Sequence, residues 1–317
     1  MRPRRVAPAV LAILLLAGCR GGPDQRDATG DTAVPAVSAQ ASARILATYV
    51  RRYNRAVTAG DAKEWRDVGT DALGATAEAA LRLGGGRPPQ TGAISLRNPV
   101  MYVPRLRGLP RWFAVAALER RGGAERPVFA VFAQKSARTG WRLSSRVYFQ
   151  GPSPRIATDE QGYAVAVDPA AATLATRPDA LPAAHAAYLD RGDDRVIMPG
   201  ATARDWRTAE ARQERRLRAD KVAVAGRSSP TGHPVYALRT DDGGALVSYS
   251  LRRTTTYTAS GGGDVTVLPV DVRTYLHGRS GHRVTATWVW RAVAYLPVRG
   301  RALVLLEAFD LASARAS

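Results

Sequence analysis

Residues 42–61 read SARILATYVRRYNRAVTAGD. Ile45, Leu46, Tyr49, Val50, Tyr53 and Val57 recur at helical spacing with arginines on the opposite face, which predicts an amphipathic helix. Ser42 is its expected N-cap. Gly60-Asp61 punctuates it, and Asp61 can cap a second helix through AKEWRDVGTDALGATAEAALRL. Gly84-Gly85-Gly86 and Pro88-Pro89 end that run. The period then changes. WFAVAALERR and RPVFAVFAQKS flank Gly122-Gly123 as a hairpin, and GWRLSSRVYF follows as a third strand. Two or three shorter strands are expected in ISLRNPVMYVPRL, where Pro99 and Pro104 suit edges or bulges.

Residues 151–177 are punctuated by Pro152, Pro154 and Pro169, with one short strand at 163–167, and read as a connection. The order of elements then repeats. DALPAAHAAYLDRGDD and ATARDWRTAEARQERRLRADK are candidate helices, followed by strands at 235–240, 244–258, 265–276, 282–296 and 301–311. In 265–276 the alternation is strict in period, although both faces are partly apolar. Several of these strands far exceed the usual length of about 5–6 residues, which implies a curved and bulged sheet. Helices first and an antiparallel sheet after, twice over, is an α+β layout in two domains, 42–150 and 178–317.

The start of the chain follows a different logic. Arg2, Arg4 and Arg5 precede an uncharged apolar run at 6–18, too short to span a bilayer as a helix and of the size of a secretory signal's core. Leu16-Ala17-Gly18-Cys19 resembles the lipobox of bacterial lipoproteins, and Cys19 is the only cysteine of the 317 residues. The resemblance implies a diacylglyceryl group on the Cys19 thiol, cleavage between Gly18 and Cys19, and acylation of the new amino terminus; two acyl chains already give a stable anchor. Residues 1–18 are then a signal peptide, and 19–41, rich in Gly, Asp, Thr and Pro, a flexible stalk. The expected location is the outer face of the cell membrane.

Net charge is +19, and only Lys63, Lys135 and Lys221 of the 46 basic residues are lysine. The charge is open to two readings: attraction to anionic lipids or wall polymers, or a solvated basic surface shaped by base composition. An exported chain with no motif combining aromatic and basic residues is not expected to bind nucleic acid. Two helices and then a curved sheet resemble the cone-shaped nuclear-transport-factor-2-like or cystatin-like fold, most clearly at YNRAVTAGDAKEWRDV. The whole chain resembles uncharacterised actinobacterial lipoproteins. That fold hosts isomerases, dehydratases, binding modules and scaffolds, so it does not choose among functions.

Little chemistry is legible. The four histidines, His185, His233, His277 and His282, form no metal-ligand spacing. His277 and His282 flank GRSG as a turn between strands, and neither metal nor cofactor is expected. An isomerase or hydratase needs a carboxylate base facing a tyrosine donor inside a cone. Candidate carboxylates are Asp271, Glu307 and Asp310, but Asp271 shares its face with Arg273, Glu307 alternates with Leu306 and Ala308 as if outward, and Asp310 sits near the end. TATWVWRAVAYLP puts Trp288 and Trp290 on one strand face with Ala286, Ala292 and Ala294. Such a face is either a ligand groove or the seat of a packed helix. If it is a groove, Trp288, Trp290, Tyr249 and Arg291 line it. The expected function is a non-catalytic binding or accessory module at the envelope with an unidentified protein or apolar partner. The alternatives are an isomerase or hydratase, or an electrostatic adaptor for anionic polymers or lipids.

Overall fold

A short strand, β1 (Val34–Pro35), comes first among the described residues and pairs with β3 (Arg105–Leu106), leaving Ala36 2% exposed in the core. The computed structural model describes residues 33–149 and 153–317. The expected signal peptide, Cys19 and the stalk as far as residue 32 lie outside the described residues. Residues 33–41, expected as the last part of the stalk, belong to the body.

Helix α1 (Ala39–Ala59) starts four residues before the expected site. Ser38 is the N-cap, accepting from the Ala41 amide at 3.2 Å, and Ser42 is buried inside the first turn. Ala39, Gln40 and Ala41 are good helix formers that a linker-like composition concealed. Leu46, Tyr49, Tyr53 and Ala56 form its buried stripe, and Gly60 ends it in the left-handed region. Asp61 caps α2 (Ala62–Val68) by accepting from the Lys63 and Glu64 amides, as expected. The second expected helix is broken at Gly69-Thr70, and α3 (Asp71–Leu83) follows. The Thr70 amide bonds to the Leu143 carbonyl at 2.8 Å, so an edge strand captures the backbone between the two helices.

The first sheet runs β2 (Ile94–Tyr102), β4 (Arg111–Arg121), β5 (Ala124–Gln134), β6 (Arg142–Tyr148), all antiparallel. Gly122 and Gly123, both at positive φ, close the expected hairpin. One face packs under α1 through Phe113, Val115 and Phe132.

Helices α4 (Leu181–Arg191) and α5 (Ala201–Ala219) open the second half. Its sheet, in order β7-β12-β11-β10-β8, is built from β7 (Ile197–Met198), β8 (Val222–Pro230), β10 (Ala245–Ala259), β11 (Arg283–Leu296) and β12 (Ala302–Ala316), with β9 (Tyr236–Arg239) also on β10. All pairs are antiparallel except β7 with β12. Strand β8 was invisible in the sequence because Gly226 interrupts it. A Cβ there would collide with the Arg253 guanidinium.

The expected strand at 265–276 is instead coil followed by helix α6 (Val270–Leu276). Val272, Tyr275 and Leu276 are buried at helical spacing, and Pro269 before them is unable to donate to a ladder. His277 and His282 therefore do not flank a hairpin. His277 ends α6 in the left-handed region, and its Nε2 lies 3.0 Å from the Arg82 carbonyl of α3.

The inner face of the second sheet packs on α4, α5 and α6. The outer faces of the two sheets meet through Ala114, Phe129 and Val131 on one side and Leu246, Val293 and Leu306 on the other. The expected connection is stitched between them by bridges from Ile156 to Thr240 and from Ala166 to Leu238. Ala33–Ser317 forms one compact unit of α+β architecture.

Candidate functional site

The four side chains named from the sequence do not share a face. Trp288, Trp290 and Tyr249 point at the helices, whereas Arg291 points at the first sheet. Helix side chains fill the space against the two indoles. Trp206 of α5 stands edge-on to both, each 5.5 Å from ring centre to ring centre, and Phe309 stacks on Trp290 at 4.8 Å. Trp290 is fully buried.

Tyr249 belongs to a buried chain of polar groups. Its hydroxyl lies 3.1 Å from His185 Nδ1, and His185 Nε2 lies 3.1 Å from Glu307 Oε1. Burial, with the Glu307 charge nearby, raises the Tyr249 pKa well above its ordinary value. Glu307 also accepts from the Ala203 amide at 2.9 Å, at the start of α5. Glu307 points inward, not outward as its alternation with Leu306 and Ala308 suggests, and its side chain is 1% exposed. Leu306 and Ala308 are covered by the first sheet, so both faces of β12 are buried and alternation no longer marks the solvent side. A carboxylate, an imidazole and a tyrosine do converge, but His185 is 0% exposed, and its Nε2 and Glu307 Oε1 make no hydrogen bond among the described residues. Of the other carboxylates, Asp271 is exposed on α6 and Asp310 pairs with Arg291 at 2.5 Å.

Two adjoining open spaces with aromatic linings lie against the first half. A cleft of about 450 Å³ separates α1, α2 and α3 from the end of β6 and from β11 and β12. Its floor is Tyr49, Tyr53 and Trp65, and its polar wall is Arg121, Arg146 and Tyr148. Trp288 and Arg291 reach the far rim. A second groove of about 410 Å³ runs beside it and shares Tyr49, Val68 and Leu143. Ile45, Phe132 and Trp141 make that groove apolar, and Arg44, Arg52 and Arg142 flank it.

The polar wall follows from strand register. Arg146 opposes Ala130, which opposes Val115, and Tyr148 opposes Val128, which opposes Ala117; Glu119 and Arg121 continue the same face of β4. These are inward positions, where sequence reasoning expects apolar side chains. The legible signal was an arginine and a tyrosine alternating at Arg146 and Tyr148 behind buried residues.

Glu119, 3% exposed, holds the cluster together. Its Oε1 accepts from Arg121 Nη2 at 2.8 Å and from the Tyr148 hydroxyl at 2.8 Å, and its Oε2 from Arg146 Nη1 at 3.4 Å. Arg146 Nη1 also donates to the Tyr49 hydroxyl at 3.1 Å. Both guanidinium groups lie 5.5 Å from the Tyr53 ring centre. Burial opposes the Arg146 charge, but Tyr49, Glu119 and Tyr148 outweigh it and hold its pKa above the ordinary arginine value. Burial pushes the Tyr49 phenol up to about 12, so at neutral pH it stays a donor. Two cations face one carboxylate, and Arg146 Nε and Nη2 make no hydrogen bond among the described residues.

Among the described residues no cluster of three or more His, Cys, Asp and Glu is placed to hold a metal, and no helix is long and apolar enough to cross a membrane.

The fold and cleft define an α+β protein with an aromatic, arginine-walled cavity under its first three helices. The chain belongs to the family described as Domain of unknown function (DUF8094), whose model matches residues 33–312. It is 28% identical to an uncharacterized lipoprotein of Streptomyces coelicolor over 99% of this chain and 97% of that one. It is 29% identical to an uncharacterized lipoprotein of Streptomyces avermitilis over 84% and 81%. A second Streptomyces coelicolor lipoprotein, also uncharacterized, is 26% identical over 94% and 90%. No solved structure matches. The lipoprotein relatives agree with association with the cell membrane through a lipid anchor.

Proposed function

We propose that the protein is an envelope binding module, held on the outer face of the membrane by acyl chains on Cys19, whose first half takes up an amphiphilic anion. Two nuclear-transport-factor-2-like halves joined by residues 151–177 are the architecture that best rationalises its helix and sheet order. The observation that carries the binding reading is Arg146. It lines the cleft, keeps its charge, and leaves Nε and Nη2 without an acceptor among the described residues. An anionic head group supplies that acceptor, and the adjoining groove gives an alkyl tail an apolar bed at Ile45, Phe132 and Trp141.

Glu119 and Tyr148 favour, at first sight, an isomerase or hydratase. Glu119 is a poor base, however. Its side chain is 2% exposed, and its oxygens are taken by Arg121, Arg146 and Tyr148.

Decyl phosphate, a soluble single-chain probe, tests the reading. Titrated into the full chain, it is expected to change the emission of Trp65 and Trp141 saturably. Arg146→Met is expected to weaken binding about tenfold or more, the effect of losing a hydrogen bond to a charged group. Decanol is expected to bind less tightly. Equal binding of decanol and decyl phosphate to both forms, or no saturable change, contradicts the proposal.

A further inference from the structure

The strands β10, β11 and β12 of the second sheet run 14 or 15 residues, and their outer face changes character along its length. One end carries Leu246, Val293 and Leu306 and is covered by the first sheet. Beyond the row of Val289 and Asp310, the latter paired with Arg291, the other end carries arginines, hydroxyls and alanines. In register across it, Arg252 opposes Ser229, Arg227 opposes Thr254, and Thr254 opposes Thr287. Thr256 opposes Thr285, Thr285 opposes Arg315, and Thr258 opposes Arg283. A groove of about 610 Å³ runs over Arg227, Ser229, Arg252, Thr254, Thr256 and Thr287.

The four arginines of this face, Arg227, Arg252, Arg283 and Arg315, are exposed. None has a carboxylate within 4.0 Å among the described residues, and Arg252 donates only to the Ser229 hydroxyl, at 3.1 Å. The contrast with the next residue is direct. Arg253, on the inner face, is held by both Asp190 and Glu210. This part of the face is therefore an uncompensated cationic strip whose other polar side chains are hydroxyls.

We infer that this strip binds a linear polymer of polyol phosphates. Arg227 lies diagonal to Arg252, and Arg283 diagonal to Arg315, with Cα atoms about 7–8 Å apart in each pair. Such pairs meet successive phosphates of an extended chain, while the threonine and serine hydroxyls between them bond phosphate and sugar-alcohol oxygens, as hydroxyl side chains do on nucleic-acid backbones. The face offers no aromatic ring for base stacking, which argues against single-stranded nucleic acid. It offers no large apolar side chain to enter a bilayer, which argues against a lipid surface. This site is separate from the cleft of the first half and does not depend on it.

The test is fluorescence anisotropy of a labelled synthetic poly(glycerol phosphate) chain with the full-length protein. Arg227→Ala, Arg252→Ala, Arg283→Ala and Arg315→Ala combined are expected to weaken binding tenfold or more and to lower the dependence of log Kd on log salt by about 3. A second variant removes the same charge elsewhere, by alanine at Arg87, Arg120, Arg212 and Arg299, all exposed. It is expected to bind like the wild type. Three results each overturn the inference: no binding by the wild type, equal loss in both variants, or competition by glycerol 3-phosphate as strong as that of the polymer at equal phosphate concentration.

Discussion

Replacing Arg253 with alanine is expected to lower the unfolding free energy by about 3–5 kcal/mol, the range for removing one partner of a buried ion pair. Arg253 is 4% exposed and sits where α4, α5, β8 and β10 meet. Nε and Nη2 grip Glu210 at 2.9 and 2.6 Å, while Nη1 reaches Asp190 at 2.7 Å and Ser228 Oγ at 2.9 Å. Asp190 in turn accepts from the Ser228 amide. Alanine leaves two carboxylates facing each other across a cavity. Both retain about a fifth of their exposure (18% and 20%), so some solvent screening places the loss toward the lower end of the range. By comparison, Arg218→Ala breaks only the exposed pair with Glu214 and is expected to cost below about 0.5 kcal/mol. Urea midpoints of the two variants measured side by side check the difference.

Trp290→Ala is expected to have a similarly large effect, about 3–5 kcal/mol, by emptying the centre of the second core. Its ring is 0% exposed and touches Phe309, Trp206 and His185. Its indole N–H is buried without a partner among the described residues, so the side chain contributes volume and ring contacts rather than a hydrogen bond. Trp290→Phe is accordingly expected to cost less than half as much. A thermal melt that places Trp290→Ala beside the wild type would mean the indole is not the keystone of α5 packing.

Much of the architecture was legible because local signals agreed with tertiary demand. Gly60-Asp61 stops one helix and caps the next, Gly122-Gly123 makes a hairpin, and the helix at 181–191 carries regular apolar spacing. The failures have a common physical cause. Alternation identifies a strand only when one face meets water, and here both sheets are buried on two sides over part of their length. That hid the inward Glu307, and it let the two-sided apolar stretch at 265–276 pass for a strand when Pro269 favoured a helix. Gly226 weakened the signal of β8 because the reason for the glycine, the Arg253 guanidinium, lies 27 positions downstream in the chain.

The site was less legible than the fold. Two tryptophans on one strand drew attention to the second half, but they pack against a third that a helix delivers. The cleft draws its charged groups from inward strand positions, Glu119, Arg121 and Arg146, whose meaning depends on register across three strands. A single sequence does not carry that register. It does carry Cys19 after an apolar run, in keeping with relatives described as lipoproteins.

The most direct measurement is a crystal structure of the protein with decyl phosphate bound. The phosphate is expected within about 3 Å of Arg146 Nε or Nη2, at hydrogen-bonding distance, with the alkyl chain passing Tyr49 and Leu143 into the groove beside Trp141. A cleft that stays empty at saturating ligand, or a ligand ordered elsewhere on the molecule, contradicts the assignment of this cavity as the binding site.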